Sequence, residues 1–305
     1  MNESELAAFD GRRCDLDQGQ RRRAYAVQHR ADTLTPLRVA WSRVVENRRR
    51  VARNYNVHGL TLAQVPSLLR VEGNWPGPIT VRAGWFRARA RPWNEVISDP
   101  MLRLERGGTE FLIAVVKRLG DLGVEGVFSP ALYPGASGVW RRSGFEDYTR
   151  LDVMERVVDA NSPDIDPDAV RQDPNPDWER VLDVDRSAFE GFWGMSRLGL
   201  EEAVDVSRSN AVLVSGSNDS LSGYAIVGSQ WGTVYLHRIA VRPEDSGQGV
   251  GSALLSAAIA WGRRSGARSI VLNVRPDNDG AKRFYAHHGF METGTALEVL
   301  RHERS

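Results

Sequence analysis

The sequence predicts an α/β (α+β) protein built from two similar domains, and three observations lead to this prediction. A short apolar strand, a glycine-rich turn and a helical pattern follow one another within residues 236–290. The same order of elements occurs in the first half, where Gly144-Phe145 stands 145 positions (289 minus 144) before Gly289-Phe290. An Asp- and Pro-rich segment, residues 159–177, separates the two stretches. A repeat of domain size explains all three observations.

The predicted organisation has four parts. Residues 1–55 form an arginine-rich extension, flexible or helical, and residues 56–158 form the first domain. Residues 159–177 are a linker, and residues 178–305 form the second domain. The expected elements of the two domains are two strands within 79–90, a helix over 109–123, a strand at 124–128, antiparallel strands at 211–214 and 224–227, and a strand at 234–241.

Composition describes an ordinary soluble globular protein. The chain has 305 residues, 41% hydrophobic and 26% charged, and a net charge of +1. The first residues lack the apolar core of a signal peptide, and no apolar run reaches membrane-spanning length, so a cytoplasmic protein without a membrane partner is expected. Cys14 is the single cysteine, and no histidine or carboxylate group has metal-ligand spacing, so no metal is predicted.

The arginines of residues 1–55 permit two interpretations. A basic arm could bind nucleic acid. Acidic residues are interleaved with the arginines and the whole chain is near neutral, which favours a solvated extension over a nucleic-acid partner.

The glycine-rich turn predicts a phosphate-binding site. Gly247, Gly249 and Gly251 follow the strand and precede the helical pattern. The N-terminus of a helix offers unpaired N–H groups and a positive dipole end, and glycines allow a pyrophosphate to approach the backbone. The GxGxG spacing does not match a dinucleotide-binding GxGxxG fingerprint, and no Gly-Lys-Ser/Thr follows, which excludes a Walker A loop.

The chain resembles the Gcn5-related N-acetyltransferase (GNAT) superfamily, whose acyl-CoA loop reads Arg/Gln-x-x-Gly-x-Gly/Ala after a strand. Asn278, Tyr285 and Gly289-Phe290 follow the loop in the order typical of that family. One departure is Ser246, which stands where the family has Arg or Gln. The resemblance implies two GNAT-fold domains, each with a mixed, mostly antiparallel central sheet flanked by helices. The layout is similar to mycothiol synthases, and the motif to ribosomal-protein N-terminal acetyltransferases.

The resemblance also implies a set of acetyl-CoA contacts in the second domain. Asn278 would bond CoA from the loop after the last central strand. The backbone expected to pair with the pantetheine arm belongs to Ile239, Ala240 and Val241. The amides expected to hold the pyrophosphate belong to Gly247, Gln248, Gly249, Val250, Gly251 and Ser252.

Tyr285 is the expected general acid, because a phenol with an ordinary pKa of about 10 stays protonated at neutral pH. The sequence offers more than one candidate for the general base. His237 is the candidate, with Glu190 and a chain of water molecules as alternatives, since Asn273 on the next strand cannot accept a proton. The walls of the acceptor site could include Phe189, Phe192 and Trp193, although core packing is an alternative role.

The first domain is expected to be degenerate. Its glycine loop is reduced to Gly107-Gly108, and Trp140 stands where the second domain has Tyr285. A tryptophan cannot serve as the general acid for a leaving group as a tyrosine can, so catalysis is assigned to the second domain.

The predicted function is an acyl-CoA-dependent N-acyltransferase that uses acetyl-CoA as its co-substrate. A primary amine, either a small molecule or a peptide N-terminus, would attack the thioester directly. The alternative is a non-catalytic acyl-CoA-binding protein with a regulatory or interaction role. The sequence specifies neither the acceptor nor the oligomeric state.

Overall fold

The strands of the described residues form one continuous sheet. The computed structural model describes residues 68–158, 169–217 and 220–304, which lie in one compact unit. In chain order the strands are β1 Arg70–Glu72, β2 Ile79–Ala83, β3 Phe86–Pro92, β4 Pro100–Arg106, β5 Gly126–Phe128, β6 Glu146–Val157, β7 Arg171–Asp173, β8 Ser209–Gly216, β9 Leu221–Gln230, β10 Thr233–Val241, β11 Ser269–Val274 and β12 Met291–Glu303. Their order across the sheet is β1-β2-β3-β4-β5-β12-β6-β11-β10-β9-β8-β7.

Helices flank this sheet. They are α1 Thr109–Asp121, α2 Gly138–Arg142, α3 Trp178–Ala188, α4 Arg197–Asp205, α5 Val250–Arg264 and α6 Asp279–His287. Short 3-10 helices cover Pro134–Ala136, Gly191–Trp193 and Pro243–Asp245. Helix α3 begins where the Asp177 side chain accepts hydrogen bonds from the amides of Glu179 and Arg180, which satisfies two otherwise unpaired donors.

The two halves exchange their last long strands. Residues 152–157 of strand β6 in the first half pair with β11 of the second half, with Val157 opposite Ser269. Strand β12 of the second half pairs with β5 of the first half, with Arg301 opposite Phe128. The exchanged strands also pair with each other in antiparallel fashion. The sheets predicted for the two domains are therefore joined edge to edge through the strands that they exchange.

The exchange carries side chains into the opposite core. Leu300 of β12 is fully buried in the cluster formed by Leu102, Phe111 and their neighbours in the first half. Met154 of β6 is buried in the second-half cluster that includes Leu254 of α5. Neither core is complete without a strand from the other half.

The fold prediction is confirmed: the structure is a mixed α/β protein whose sheet is mostly antiparallel and flanked by helices. Parallel pairing occurs between β10 and β11 and between β4 and β5, within the described part of the chain. The extension 1–55 and linker residues 159–168 lie outside the described residues. Residues 171–173, at the end of the predicted linker, form the edge strand β7, which pairs with β8.

Substitution Leu300→Ala should destabilise the protein by about 2–5 kcal/mol, because it leaves a cavity in a core that the two halves share. Chemical denaturation should show one transition that shifts as a whole. The control is Met291→Ala on the same strand, whose side chain is 54% exposed, with an expected change within about 0.5 kcal/mol. A transition split into two, with only one part shifted, would contradict the shared core.

Candidate functional site

The sheet of the second half opens between β10 and β11. Their parallel pairing extends from Thr233 to Leu236 on β10, opposite residues 269–272. A bulge in the pairing of β10 with β9 lies between Leu236 and Arg238. Beyond the bulge, Ile239–Val241 pair with β9 and have no partner on the β11 side among the described residues. Their backbone groups form a short open edge at which an extended molecule could add hydrogen bonds.

The glycine loop lies next to this opening, between β10 and α5. Gly247 and Gly249 have φ values of 79° and 86°, in the left-handed region that glycine adopts readily. A Cβ added at either residue would meet no atom within 4 Å, so the loop borders open space. The Gln248 side chain donates to the Glu244 carbonyl oxygen at 2.9 Å and braces the loop from within.

Helix α5 begins at this loop without a side-chain cap. The first amide of this region with a partner in the helical pattern is that of Ala253, which donates to the Gly249 carbonyl oxygen at 2.9 Å. Among the described residues, the amides of Val250, Gly251 and Ser252 have no partner. Free amides and the positive end of a fifteen-residue helix are an arrangement that favours the binding of an anion.

The corresponding place in the first half is closed. Only Gly107 and Gly108 connect β4 to α1, whereas residues 242–249 connect β10 to α5. A Cβ at Gly107 would lie 2.5 Å from the Phe111 ring, so a side chain fills the space next to the loop. Trp140 is buried and packs edge-on against Phe145 at 4.9 Å, where it contributes to the core.

Tyr285 lies on α6 and is 8% exposed. Its ring packs against Phe284 at 5.3 Å and Phe290 at 5.8 Å. Burial raises the pKa of the Tyr285 hydroxyl to about 12, and the positive charge of Arg238 partly opposes this effect. The hydroxyl group is therefore protonated at neutral pH, and it lies close enough to Arg238 to sense its charge.

Asn278 has a structural role at the start of the same helix. Its side-chain oxygen accepts a hydrogen bond from the Ala281 amide at 2.9 Å and caps α6. The residue is exposed, and its amide nitrogen has no hydrogen-bond partner within the described chain. The cap fixes the side chain and leaves its two N–H donors available.

His237 occupies the bulge of β10, directly before Arg238. Its Nε2 lies 3.4 Å from the Ser207 hydroxyl oxygen, and its ring lies parallel to Tyr235 with 6.1 Å between centroids. Burial lowers the pKa of His237 to about 4. No described contact joins His237 to Tyr285, so the two predicted catalytic side chains are not brought together directly. Glu190 is exposed at the end of α3.

A buried ion pair beside the opening was not predicted from the sequence. Arg238 donates through Nε and Nη2 to the two carboxylate oxygens of Asp185 at 2.7 and 2.9 Å. The hydroxyl of the buried Tyr224 donates to the same carboxylate at 2.6 Å, and burial raises the pKa of that hydroxyl well above its usual value. The available signal was Asp185 itself, a carboxylate on the apolar face of α3 that also presents Val181.

The ion pair holds the segment that follows α3. Arg238 Nη2 also donates to the Trp193 carbonyl oxygen at 2.8 Å, and the Met195 amide donates to Asp185 at 2.9 Å. The guanidinium lies 3.6 Å from the centre of the Phe189 ring. Residues 189–195, hereafter the aromatic segment, are thereby attached to β10 at the bulge.

Residues of the first half support the aromatic segment from the other side. Trp93 stacks on Phe192 at 4.3 Å and donates from Nε1 to the Phe192 carbonyl oxygen at 2.7 Å. Asn94 donates to the carbonyl oxygens of Gly191 and Gly194 at 2.8 and 2.9 Å. Phe189 and Phe192 therefore have packing contacts, which agrees with core packing, the alternative to a role in the wall of the acceptor site.

A cleft of about 390 Å³ lies at the end of β11, beside the aromatic segment. It contains residues of both halves, because β6 contributes two of them. Its lining consists of Tyr148, Thr149, Phe192, Trp193, Arg275, Pro276 and Asp277. Trp193 is the member of the predicted acceptor wall that both lines the cleft and is bonded to Arg238.

The fold and this site define a domain of the GNAT class. Residues 178–290 match the model of the acetyltransferase (GNAT) family, which confirms the resemblance of the second half to the GNAT superfamily. A mycothiol acetyltransferase from Actinosynnema mirum is 31% identical over 170 residues, which are 51% of this chain and 56% of that protein. The chain thus matches little more than half the length of that relative.

Two further similarities involve a sequence and a solved structure. An uncharacterized N-acetyltransferase from Methanocaldococcus jannaschii is 27% identical over 133 residues, which are 40% of this chain and 78% of that protein. A tandem GNAT protein from the clavulanic acid biosynthesis pathway, solved without acetyl-CoA, aligns with a TM-score of 0.49 and 15% identity. That alignment covers 80% of this chain and 88% of the other.

Within the described residues no helix has the length and apolar character needed to cross a membrane. The same residues contain no cluster of three or more His, Cys, Asp or Glu side chains that could hold a metal ion.

Substitution Asp185→Asn should lower the free energy of unfolding by about 3–5 kcal/mol, because Arg238 then keeps a buried charge without its partner. Urea denaturation measures this loss. The matched control is Glu201→Gln, which removes the exposed partner of Arg197 and should cost less than about 1 kcal/mol. Similar losses in both variants would show that the Arg238 pair is no more important than a surface pair.

Acid should destabilise the protein through His237. Burial lowers its pKa from 6.5 to about 4, so between these pH values the unfolded chain binds a proton that the folded chain does not. The free energy of unfolding should therefore rise with pH across this window, by up to about 3 kcal/mol, and fall as acid is added. Denaturation curves at several pH values should show a shallower dependence in His237→Gln. Equal slopes in both proteins would contradict a neutral, buried His237.

Proposed function

We propose that the chain is an N-acetyltransferase that transfers an acetyl group from acetyl-CoA to a primary amine in its C-terminal half. The observation that carries the proposal is the open edge of β10 at Ile239–Val241, directly next to the uncapped start of α5. An extended chain ending in a pyrophosphate fits such an arrangement. The similarity to proteins named as acetyltransferases supports the same activity.

Acetyl-CoA would bind along this edge. The pantetheine arm would pair with the backbone of Ile239, Ala240 and Val241, which lack partners on that side among the described residues. The free amides at residues 250–252, together with those of the glycine loop at 247–249, would hold the pyrophosphate. Asn278 would donate from its amide nitrogen, since its oxygen is used by the helix cap. Ser246 offers no cationic side chain to the phosphates.

Direct attack by the amine needs a proton donor for the departing thiolate. Tyr285 is proposed for this role, because its hydroxyl remains protonated and can donate a hydrogen bond to the sulfur. Burial raises the pKa of this hydroxyl to about 12, and the positive charge of Arg238 offsets part of that rise by favouring the phenolate form. The tetrahedral oxyanion would be stabilised by backbone N–H groups at the β10 edge.

The amine must lose a proton before or during attack. His237 is the proposed base, since its low pKa keeps the imidazole neutral and able to accept a proton at neutral pH. The same low pKa makes it a weak base, so an exposed carboxylate acting through water is the alternative, and Glu190 at the end of α3 is that carboxylate.

The first half is proposed to shape the site without binding CoA. Its glycine loop is filled by Phe111, and its Trp93 and Asn94 hold the aromatic segment. The acceptor would be a small-molecule amine or a peptide N-terminus, and the protein would act in the cytoplasm.

The alternative proposal is a non-catalytic protein that binds acyl-CoA. It is motivated by Asn273, which cannot act as a base, by Ser246 in the loop, and by the weak basicity of His237. Such a protein would bind CoA at the same opening and release no thiol in the presence of amines.

Substitution Tyr285→Phe should lower kcat by about 10²-fold while the Kd for CoA stays unchanged, because the hydroxyl acts on the leaving thiolate and not on binding. Thiol release from acetyl-CoA with a panel of amines measures turnover, and calorimetry measures CoA binding. Tight CoA binding without turnover on any amine, in both proteins, would favour the non-catalytic alternative. Loss of CoA binding by the wild-type chain would contradict both proposals.

A further inference from the structure

The cleft at the end of β11 has a chemical character that narrows the class of acceptor. We propose that it binds a small primary amine carrying an aromatic ring, in a site that both halves of the chain build. This inference rests on the proposed acetyltransferase function, since it names the acceptor of that reaction.

Three of the seven side chains that line the cleft are aromatic. Phe192 and Trp193 meet at 5.1 Å with an angle of 89° between their rings, so they form two perpendicular walls. Tyr148, from β6 of the first half, is the third aromatic side chain of the cleft, and its ring centre lies 4.9 Å from that of Phe192. Flat rings gain from stacked and edge-on contacts with such walls, beyond the area that they bury.

These walls are held in place before any ligand binds. Trp93 stacks on the outer side of Phe192 at an angle of 16°, and Phe128 contacts Phe192, Trp93 and Tyr148 at 4.9–5.3 Å. Side chains that are already ordered lose little conformational freedom on binding, which favours a rigid ring as the guest.

The two charged side chains that line the cleft form an ion pair with each other. Arg275 donates through Nε and Nη2 to the two oxygens of Asp277 at 2.9 and 2.6 Å, and its guanidinium lies 5.2 Å from the Trp193 ring. No other lining side chain is charged. Arg275 is already paired with Asp277, so it is not available to a carboxylate on the acceptor. For the same reason the cleft has no unpaired carboxylate that could bind a polyamine. Both would lose hydration without gaining a partner.

The cleft adjoins the place proposed for the thioester. Arg275 directly follows the last residue of β11, and the Trp193 carbonyl oxygen is bonded to Arg238, the neighbour of Ile239. Trp193 and Arg275 therefore place the cleft beside the opening between β10 and β11, where an amine attached to a bound ring is proposed to meet the thioester. A volume of about 390 Å³ suits a small molecule.

Calorimetry on the full chain saturated with CoA tests the acceptor class with three probes: tryptamine, tryptophan and spermidine. Tryptamine should bind at least about tenfold more tightly than spermidine, because only tryptamine has a ring to stack. It should also bind more tightly than tryptophan, which adds only a carboxylate to the same ring.

Two variants tie this preference to the cleft. Trp193→Leu and Tyr148→Ala should each raise the Kd of tryptamine, the first by about tenfold. Tyr148 is 46% exposed, so its removal does not threaten the fold. The matched control is Trp85→Leu, an aromatic side chain that is 73% exposed and does not line the cleft, and it should leave tryptamine binding unchanged.

A third variant tests the charge argument. Asp277→Asn leaves Arg275 unpaired, so tryptophan should gain affinity relative to tryptamine, reversing the wild-type preference or removing it. An unchanged ratio between the two probes would overturn the claim that the Arg275–Asp277 pair excludes acidic acceptors.

The inference fails if spermidine or a pentapeptide with an N-terminal glycine binds as tightly as tryptamine, or if Trp193→Leu has no more effect than Trp85→Leu. In either case the proposed function stands as long as the chain binds CoA and acetylates some amine. Loss of CoA binding, by contrast, would contradict the proposed function itself.

Discussion

The ion pair between Arg238 and Asp185 joins the three elements that surround the opening in the sheet. The Asp185 carboxylate accepts hydrogen bonds from two guanidinium nitrogens, the Tyr224 hydroxyl and the Met195 amide. Helix α3, the aromatic segment and the bulge of β10 are thereby fixed relative to one another. Removing two charges from water is costly, and a buried pair often adds little net stability compared with apolar residues. Its contribution here is geometric, because it determines where the cleft lies relative to the open strand edge.

The first half contributes to the site by supporting it. Arg91 at the end of β3 donates to Glu202 of α4 at 2.9 Å, and Arg186 of α3 donates to Glu95 at 2.6 Å, so the end of β3 and the segment after it contact both helices next to the aromatic segment. The exchanged strand β6 brings Tyr148 into the cleft itself. The first half thus has only Gly107 and Gly108 between β4 and α1, and it supplies contacts that support the site of the second half.

Local patterns were sufficient to predict the elements that carry the site. The change from a strand pattern to a helical one around Gly247–Gly251 indicated the loop and the helix after it, whereas Asn278 and Tyr285 were singled out by the family resemblance and not by periodicity. Reduction of the first glycine loop to Gly107-Gly108 predicted a degenerate first domain, and the structure places the Phe111 ring against Gly107, where it fills the space next to the loop.

Features that depend on distant pairing were not predictable. Strands β6 and β12 have similar patterns of buried and exposed residues, so either could have paired within its own half, and only the tertiary contacts determine the exchange. Arg238 and Asp185 are separated by 53 positions, and no spacing rule connects them. The low pKa of His237 likewise arises from burial at a bulge, which the residue type does not reveal.

A crystal structure of the full chain with CoA would test the central claim most directly, that one opening in one half binds the cofactor. The account predicts one CoA per chain, with its pantetheine arm along Ile239–Val241 and its pyrophosphate at the start of α5. A CoA molecule bound beside Gly107-Gly108, or one that leaves the edge of β10 unoccupied, would contradict it.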